Sequence, residues 1–167
     1  GNIVYGADEE ELQDVVMRLL DQRRLTLATA ESVTAGLVAH RLAQVPGASL
    51  WLRGGIVAYV NAIKADLLGV PQDLLDQHGA VSAEVAQAMA RGARMRLKTD
   101  LAVSTTGLAG PGGGSAEKPV GLVFVGLAWE GGASSVSFNW AGTRTEIQSR
   151  TAKLALNAVR LKLLEPL

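Results

Sequence analysis

Leu25-Thr26-Leu27-Ala28-Thr29-Ala30-Glu31-Ser32-Val33-Thr34-Ala35-Gly36 is the stretch that decides the fold. Its apolar run, Leu25 to Ala30, reads as a strand. It then breaks into small polar residues, after which Ala35, Val38, Leu42 and Val45 repeat at helical spacing up to the stop at Pro46-Gly47. The same switch recurs downstream. Trp51 to Tyr59 reads as a strand, and a short helix runs from Asn61 to Gly69, a natural C-terminal residue. Upstream, Asp8-x-x-Glu11 has the pattern of a capping box and precedes the apolar stripe Leu12, Val15, Val16, Leu19 and Leu20, so a helix is expected near 8–23. Ser82 is a good N-cap for a helix carrying Val85, Met89, Ala93 and Leu97, and Leu101 to Thr105 is strand-like. Leu122–Trp129 and Ser134–Trp140 read as a hairpin across Gly131-Gly132. Thr143-x-x-Glu146 opens a long last helix with Leu154, Ala158 and Leu161 expected inward. Strands alternate with helices early and pair as a hairpin late. That order predicts one α/β domain over residues 1–167, a three-layer α/β/α sandwich with a mixed sheet.

The bulk numbers narrow the function. A chain of 167 residues can bury roughly two thirds of its unfolded surface. Sixteen basic residues balance sixteen acidic ones, which argues against a nucleic-acid partner. The densest basic stretch, Arg91 to Lys98, is interrupted by apolar residues. No apolar run approaches the ~18 residues of a membrane span. Gly1-Asn2-Ile3-Val4-Tyr5 lacks a signal-peptide pattern, and the absence of cysteine fits a cytoplasmic protein. With no cysteine and only His40 and His78, no metal site is expected.

The same scarcity shapes the covalent chemistry. A serine needs a base to become a nucleophile at neutral pH, and a serine–lysine pair is what this composition leaves. Ser32 and Lys64 each stand where a strand turns into a helix. Backbone N–H groups and the helix dipole beside Ser32 can hold an oxyanion; the competing reading is that Ser32 or Thr34 simply caps the helix. If Asn61 is the N-cap, Lys64 lies in the first turn, where the dipole and apolar neighbours depress its pKa. The competing reading is a solvated lysine. Tyr59 can hydrogen-bond either group, or be an ordinary strand aromatic. The glycine-rich stretch Thr105 to Ser115 lets backbone N–H groups approach a phosphate or carboxylate. Arg144 and Arg150 can clamp a phosphate or sit on the surface.

At these residues the chain resembles the CinA C-terminal domain family. Ala30-Glu31-Ser32-Val33-Thr34-Ala35-Gly36 is similar to the family's AESCTGG, and Arg53-Gly54 to Lys64 to its RG-x-V-x-Y-x-N-x-x-K. Gly79-Ala80-Val81-Ser82 matches GAVS, while Thr106 to Pro111 and Gly113 to Gly121 resemble SGIAGP and GGS…KPVG. The resemblance implies hydrolysis of nicotinamide mononucleotide to nicotinic acid mononucleotide and ammonia, without metal or cofactor. In that reading Ser32 is the nucleophile, Lys64 the base and Tyr59 an orienting residue. Glu31, Thr34, Asn61, Thr106, Gly107, Gly110, Gly112, Gly113 and Arg144 bind the pyridine nucleotide. It also implies a homo-oligomer. Many full-length members carry a separate N-terminal domain, and Asn2 to Gly6 resembles the joining segment, so the chain is expected to be a natural short form or a domain cut from a longer protein. Val33 replaces the family's cysteine. Ala35 replaces its first glycine, adding a methyl near the expected oxyanion site. The rival readings are a catalytically weak nucleotide-binding or assembly module, favoured by Ala35, and a general amidase.

Overall fold

Alternation along the central strands sets the architecture of the computed structural model, which describes residues 10–166. The helices are α1 (Leu12–Arg23), α2 (Leu37–Ala43), α3 (Asn61–Leu68), α4 (Gln72–His78), α5 (Ala83–Leu97) and α6 (Arg144–Leu163). The strands are β1 (Leu27–Glu31), β2 (Leu52–Val57), β3 (Leu101–Gly107), β4 (Leu122–Trp129) and β5 (Gly132–Asn139). They form one mixed sheet in the order β2-β1-β3-β4-β5. β1 pairs in parallel with β2 and β3, and β3, β4 and β5 follow antiparallel. Leu27, Leu101, Val103, Val125 and Leu127 pack under α1, α2 and α6. Ala28, Ala30, Ala102 and Ala128 face α3, α4 and α5. The expected three-layer α/β/α sandwich is the fold observed.

Small residues on the second face let α5 lie close to the sheet. The Ser104 hydroxyl donates to the Ala86 carbonyl, 2.5 Å away. α5 in turn holds the end of α3, because a Cβ on Gly92 would stand 1.9 Å from the Leu68 carbonyl oxygen. No larger residue fits there without moving α3, the helix that carries Lys64.

Several expectations are corrected. Asp8 lies outside the described residues, and α1 starts after Glu11, whose N–H donates to the Asp14 carboxylate at 3.0 Å. α4 is a helix that no sequence pattern above announces, and His78 is its last residue. Its brevity hides it, since Leu75 is the only buried residue in its seven. Leu161 is 48% exposed, because the buried stripe of α6 runs through Ala155, Leu156, Val159 and Leu163 and leaves it at the margin. No helix among the described residues is long and apolar enough to cross a membrane.

Candidate active site

The C-terminal ends of the parallel strands β1, β2 and β3 open at one edge of the sheet, where open α/β folds place their ligands. Ser32 prolongs the β1–β3 ladder, its N–H donating to the Thr105 carbonyl at 3.0 Å. The chain then turns through two left-handed residues, Ala35 (φ 50°) and Gly36 (φ 100°). Ala35 N–H closes the turn on the Ser32 carbonyl at 3.0 Å.

Neither Ser32 nor Thr34 caps α2. The N-cap is Gly36, and the capping acceptor is the Glu31 carboxylate. Glu31 Oε1 accepts from Val38 N–H at 2.8 Å and Oε2 from Ala39 N–H at 3.0 Å. That corrects the expected use of the helix end for an oxyanion, since the end already faces an anion. The N–H groups of Val33 and Thr34 have no acceptor among the described residues and remain beside Ser32. Ala35 is exposed and lines a groove between α2 and α6, so its methyl does not fill the space at Ser32.

Lys64 is only 2% exposed. Its helix is capped by Val60 rather than Asn61, which is instead the exposed first residue of α3; Lys64 therefore sits one position deeper than expected. Its Nζ donates to the Tyr59 carbonyl oxygen at 3.1 Å. Among the described residues no carboxylate reaches ion-pairing distance of it, and burial pushes the amine below the ordinary lysine range. Desolvation is the cause. Ser32 is 7% exposed, and its Oγ donates to the same Tyr59 oxygen at 3.5 Å. The nucleophile and base candidates thus converge on one main-chain atom, while the Tyr59 phenol points elsewhere.

That phenol accepts from Arg144 Nη2, and Arg144 Nη1 donates to the Gly110 carbonyl at 2.8 Å. One guanidinium therefore ties the β2–α3 connection to the glycine-rich loop at the capped start of α6. The loop is closed at its base by the Gly121 N–H on the Leu108 carbonyl at 2.7 Å, and Gly112 and Gly113 are exposed. Thr106 is buried at the end of β3 and donates to the Ala80 carbonyl at 2.8 Å, which anchors the Gly79–Ser82 segment beside Gly107. Arg150 and Lys118 are committed to main-chain carbonyls, of Ala141 and His78 respectively. His40 is exposed on α2, and among the described residues no three His, Asp or Glu side chains cluster as metal ligands. Two contributors carried no sequence signal. Gln148 Nε2 donates to the Val33 carbonyl at 3.1 Å, and Thr105 Oγ1 lies 2.7 Å from Thr34 Oγ1.

A model of the CinA C-terminal domain matches residues 9–163. The CinA-like protein of Geobacter metallireducens is 49% identical over 164 residues, 98% of this chain. That of a Synechococcus species is 50% identical over 166 residues, also 98% of this chain. The chain spans about 40% of the length of these relatives. Among solved structures, the competence/damage inducible protein CihA from Agrobacterium tumefaciens superposes with a TM-score of 0.89 at 38% identity, covering 98% of this chain and 100% of that one. The competence damage-inducible protein A from Klebsiella pneumoniae gives a TM-score of 0.89 at 30% identity, covering 92% and 96%.

Proposed function

The chain belongs to the CinA C-terminal domain family, and on that premise we propose that it hydrolyses the carboxamide of nicotinamide mononucleotide, with Ser32 as nucleophile and Lys64 as base. One observation carries the reading: Ser32 Oγ and the buried Lys64 Nζ, which has no counter-ion among the described residues, meet on the Tyr59 carbonyl oxygen. An amine whose pKa is lowered by burial is a base rather than a point charge.

Neutral Lys64 takes the hydroxyl proton as Ser32 Oγ adds to the carboxamide carbon. The carbonyl electron pair moves onto oxygen, where the N–H groups of Val33 and Thr34 are the donors left to hold it. Lys64 then delivers its proton to the amide nitrogen, the C–N bond breaks and ammonia leaves an ester on Ser32. Water, deprotonated by Lys64, adds to that ester; Ser32 departs and recovers its proton, releasing nicotinic acid mononucleotide. Tyr59 acts through its main-chain carbonyl on Ser32 and Lys64, and through its phenol on Arg144. Gly107, Gly110, Gly112, Gly113 and Arg144 hold phosphate and ribose, with Thr106 fixing the adjoining segment and Asn61 at the start of α3. The protein partners in this reading are further copies of the chain and an N-terminal domain in longer proteins.

Ammonia release from nicotinamide mononucleotide, nicotinamide riboside and a phosphate-free carboxamide tests it. The mononucleotide should turn over fastest, and Ser32→Ala should abolish the signal. No release from the mononucleotide between neutral and alkaline pH would overturn the reading; equal turnover of the simple carboxamide would replace it with a general amidase.

A further inference from the structure

Glu31 ends β1 and is 1% exposed, so its carboxylate must find its hydrogen bonds inside the protein. It finds three: Oε1 accepts from Thr34 Oγ1 at 2.6 Å and from Val38 N–H at 2.8 Å, and Oε2 accepts from Ala39 N–H at 3.0 Å. Each oxygen faces a main-chain N–H, so both positions must be acceptors. A glutamine cannot fill them. Whichever way its amide turns, the NH2 group opposes the N–H of Val38 or of Ala39.

The carboxylate also orders a chain of hydroxyls. Thr34 has one hydroxyl proton and gives it to Glu31. Its oxygen therefore accepts from Thr105 Oγ1, 2.7 Å away. The chain runs one way, from β3 through Thr34 to Glu31, and fixes the residue whose N–H is a donor to the oxyanion. The main chain of Glu31 adds a second tie, its carbonyl accepting from Ala58 N–H at 2.8 Å, next to Tyr59. Glu31 is thus joined to the nucleophile, to an oxyanion donor and to the neighbour of the oxygen that gathers Ser32 and Lys64. Among the described residues it makes no hydrogen bond to residues 107–114 or to Arg144.

Resting on the serine–lysine reading above, we propose that Glu31 is a positioning residue for the chemical step, not a substrate-binding residue. Its carboxylate holds the 32–36 turn so that Ser32 and the Val33 and Thr34 N–H groups keep their geometry around the reacting carbon.

The test compares the full chain with Glu31→Gln and Glu31→Asp. Ammonia release from nicotinamide mononucleotide and the labelling rate of Ser32 by a fluorophosphonate are measured at a temperature where circular dichroism shows each variant folded. Glu31→Gln should lose about 100-fold in kcat, the loss a displacement near 1 Å produces. KM should stay within about threefold and labelling should slow in parallel. Glu31→Asp, with two acceptor oxygens on a shorter arm, should recover part of the rate. A glutamine variant that keeps kcat within about twofold, or that loses only KM, overturns the proposal. If Glu31→Gln does not fold, Thr34→Val cuts the hydroxyl chain alone; it should lower kcat about tenfold with KM unchanged, and an undiminished kcat overturns the proposal. A wild-type chain that labels at Ser32 yet releases no ammonia refutes the substrate assignment alone, and the labelling rates then decide the role of Glu31. A wild-type chain that does not label refutes the serine reading and this proposal together.

Discussion

Replacing Lys64 by methionine should destroy activity and make the protein more stable. The side chain is 2% exposed; among the described residues its Nζ has one hydrogen bond, to the Tyr59 carbonyl at 3.1 Å, and no carboxylate accompanies it. Methionine matches its length, keeps the apolar packing of the stem and loses that bond, worth about 1 kcal/mol net. Against this, an unpaired amine in the interior carries a penalty of several kcal/mol when charged, reduced by giving up its proton. The balance favours Lys64→Met by about 1–3 kcal/mol. At about 2–4 °C per kcal/mol for a domain of this size, the rise in Tm is measurable by calorimetry. The pH dependence fixes the cause. Because the folded pKa lies below the ordinary lysine value of 10.5, the penalty is complete below the folded pKa and fades as pH climbs towards 10.5, where the unfolded amine also loses its proton. The advantage of methionine should therefore be greatest at neutral pH and shrink in alkali, while the wild-type rate rises over the same window. A variant that melts lower than wild type, or a Tm difference independent of pH, would refute the desolvated-base argument.

Ser32→Ala should remove turnover by on the order of 10⁴-fold or more while changing stability by less than about 0.5 kcal/mol, because among the described residues the hydroxyl's one hydrogen bond is the 3.5 Å contact to Tyr59, and it does not cap α2. Retained activity with a Tm drop worth about 1 kcal/mol would make it a structural residue. Ala35→Gly should raise stability by about 0.5–1 kcal/mol, relieving a left-handed φ of 50°; a lower Tm would show that position unstrained. Arg144→Ala should shrink the kcat/KM preference for mononucleotide over riboside roughly tenfold to a hundredfold, the weight of a charged hydrogen bond. An unchanged preference would put the phosphate elsewhere.

The fold was legible because its periods are clean. The apolar run of β1, the strand-like Leu101 to Thr105, the stripes of α1 and α5 and the Thr143-x-x-Glu146 box all survive in the structure. The site was legible only as far as side-chain letters reach. Ser32 and Lys64 stand out by lying where strands become helices. Tyr59 stands out as an aromatic, yet the atom that joins Ser32 and Lys64 is its main-chain oxygen, which every residue possesses. The cap of α2 was invisible for a different reason. Capping patterns are read three residues apart, whereas Glu31 reaches Val38 and Ala39 across a turn with two left-handed residues. Gln148, from α6, had no local partner to announce it.

What makes the site workable is the pleat of β1. Glu31 and Lys64 are both almost wholly buried, and an ion pair between them would hold the lysine proton and raise its pKa. Successive residues of a strand point to opposite faces. Leu27 packs under α1, α2 and α6, and Glu31, four residues on, turns to the same side and bonds to α2. Ala28 and Ala30 pack towards α3 and α5, and Ser32, continuing the ladder, reaches the Tyr59 oxygen held by Lys64 of α3. The order Ala30-Glu31-Ser32 therefore puts the acid on one face and the proposed nucleophile with its proposed base on the other. A carboxylate moved one position along the strand, to 30 or 32, would fall on the Lys64 side, pair with the amine and keep it protonated. In the proposed mechanism Lys64 can stay a base because the sheet has two faces and the sequence places one residue between the charges.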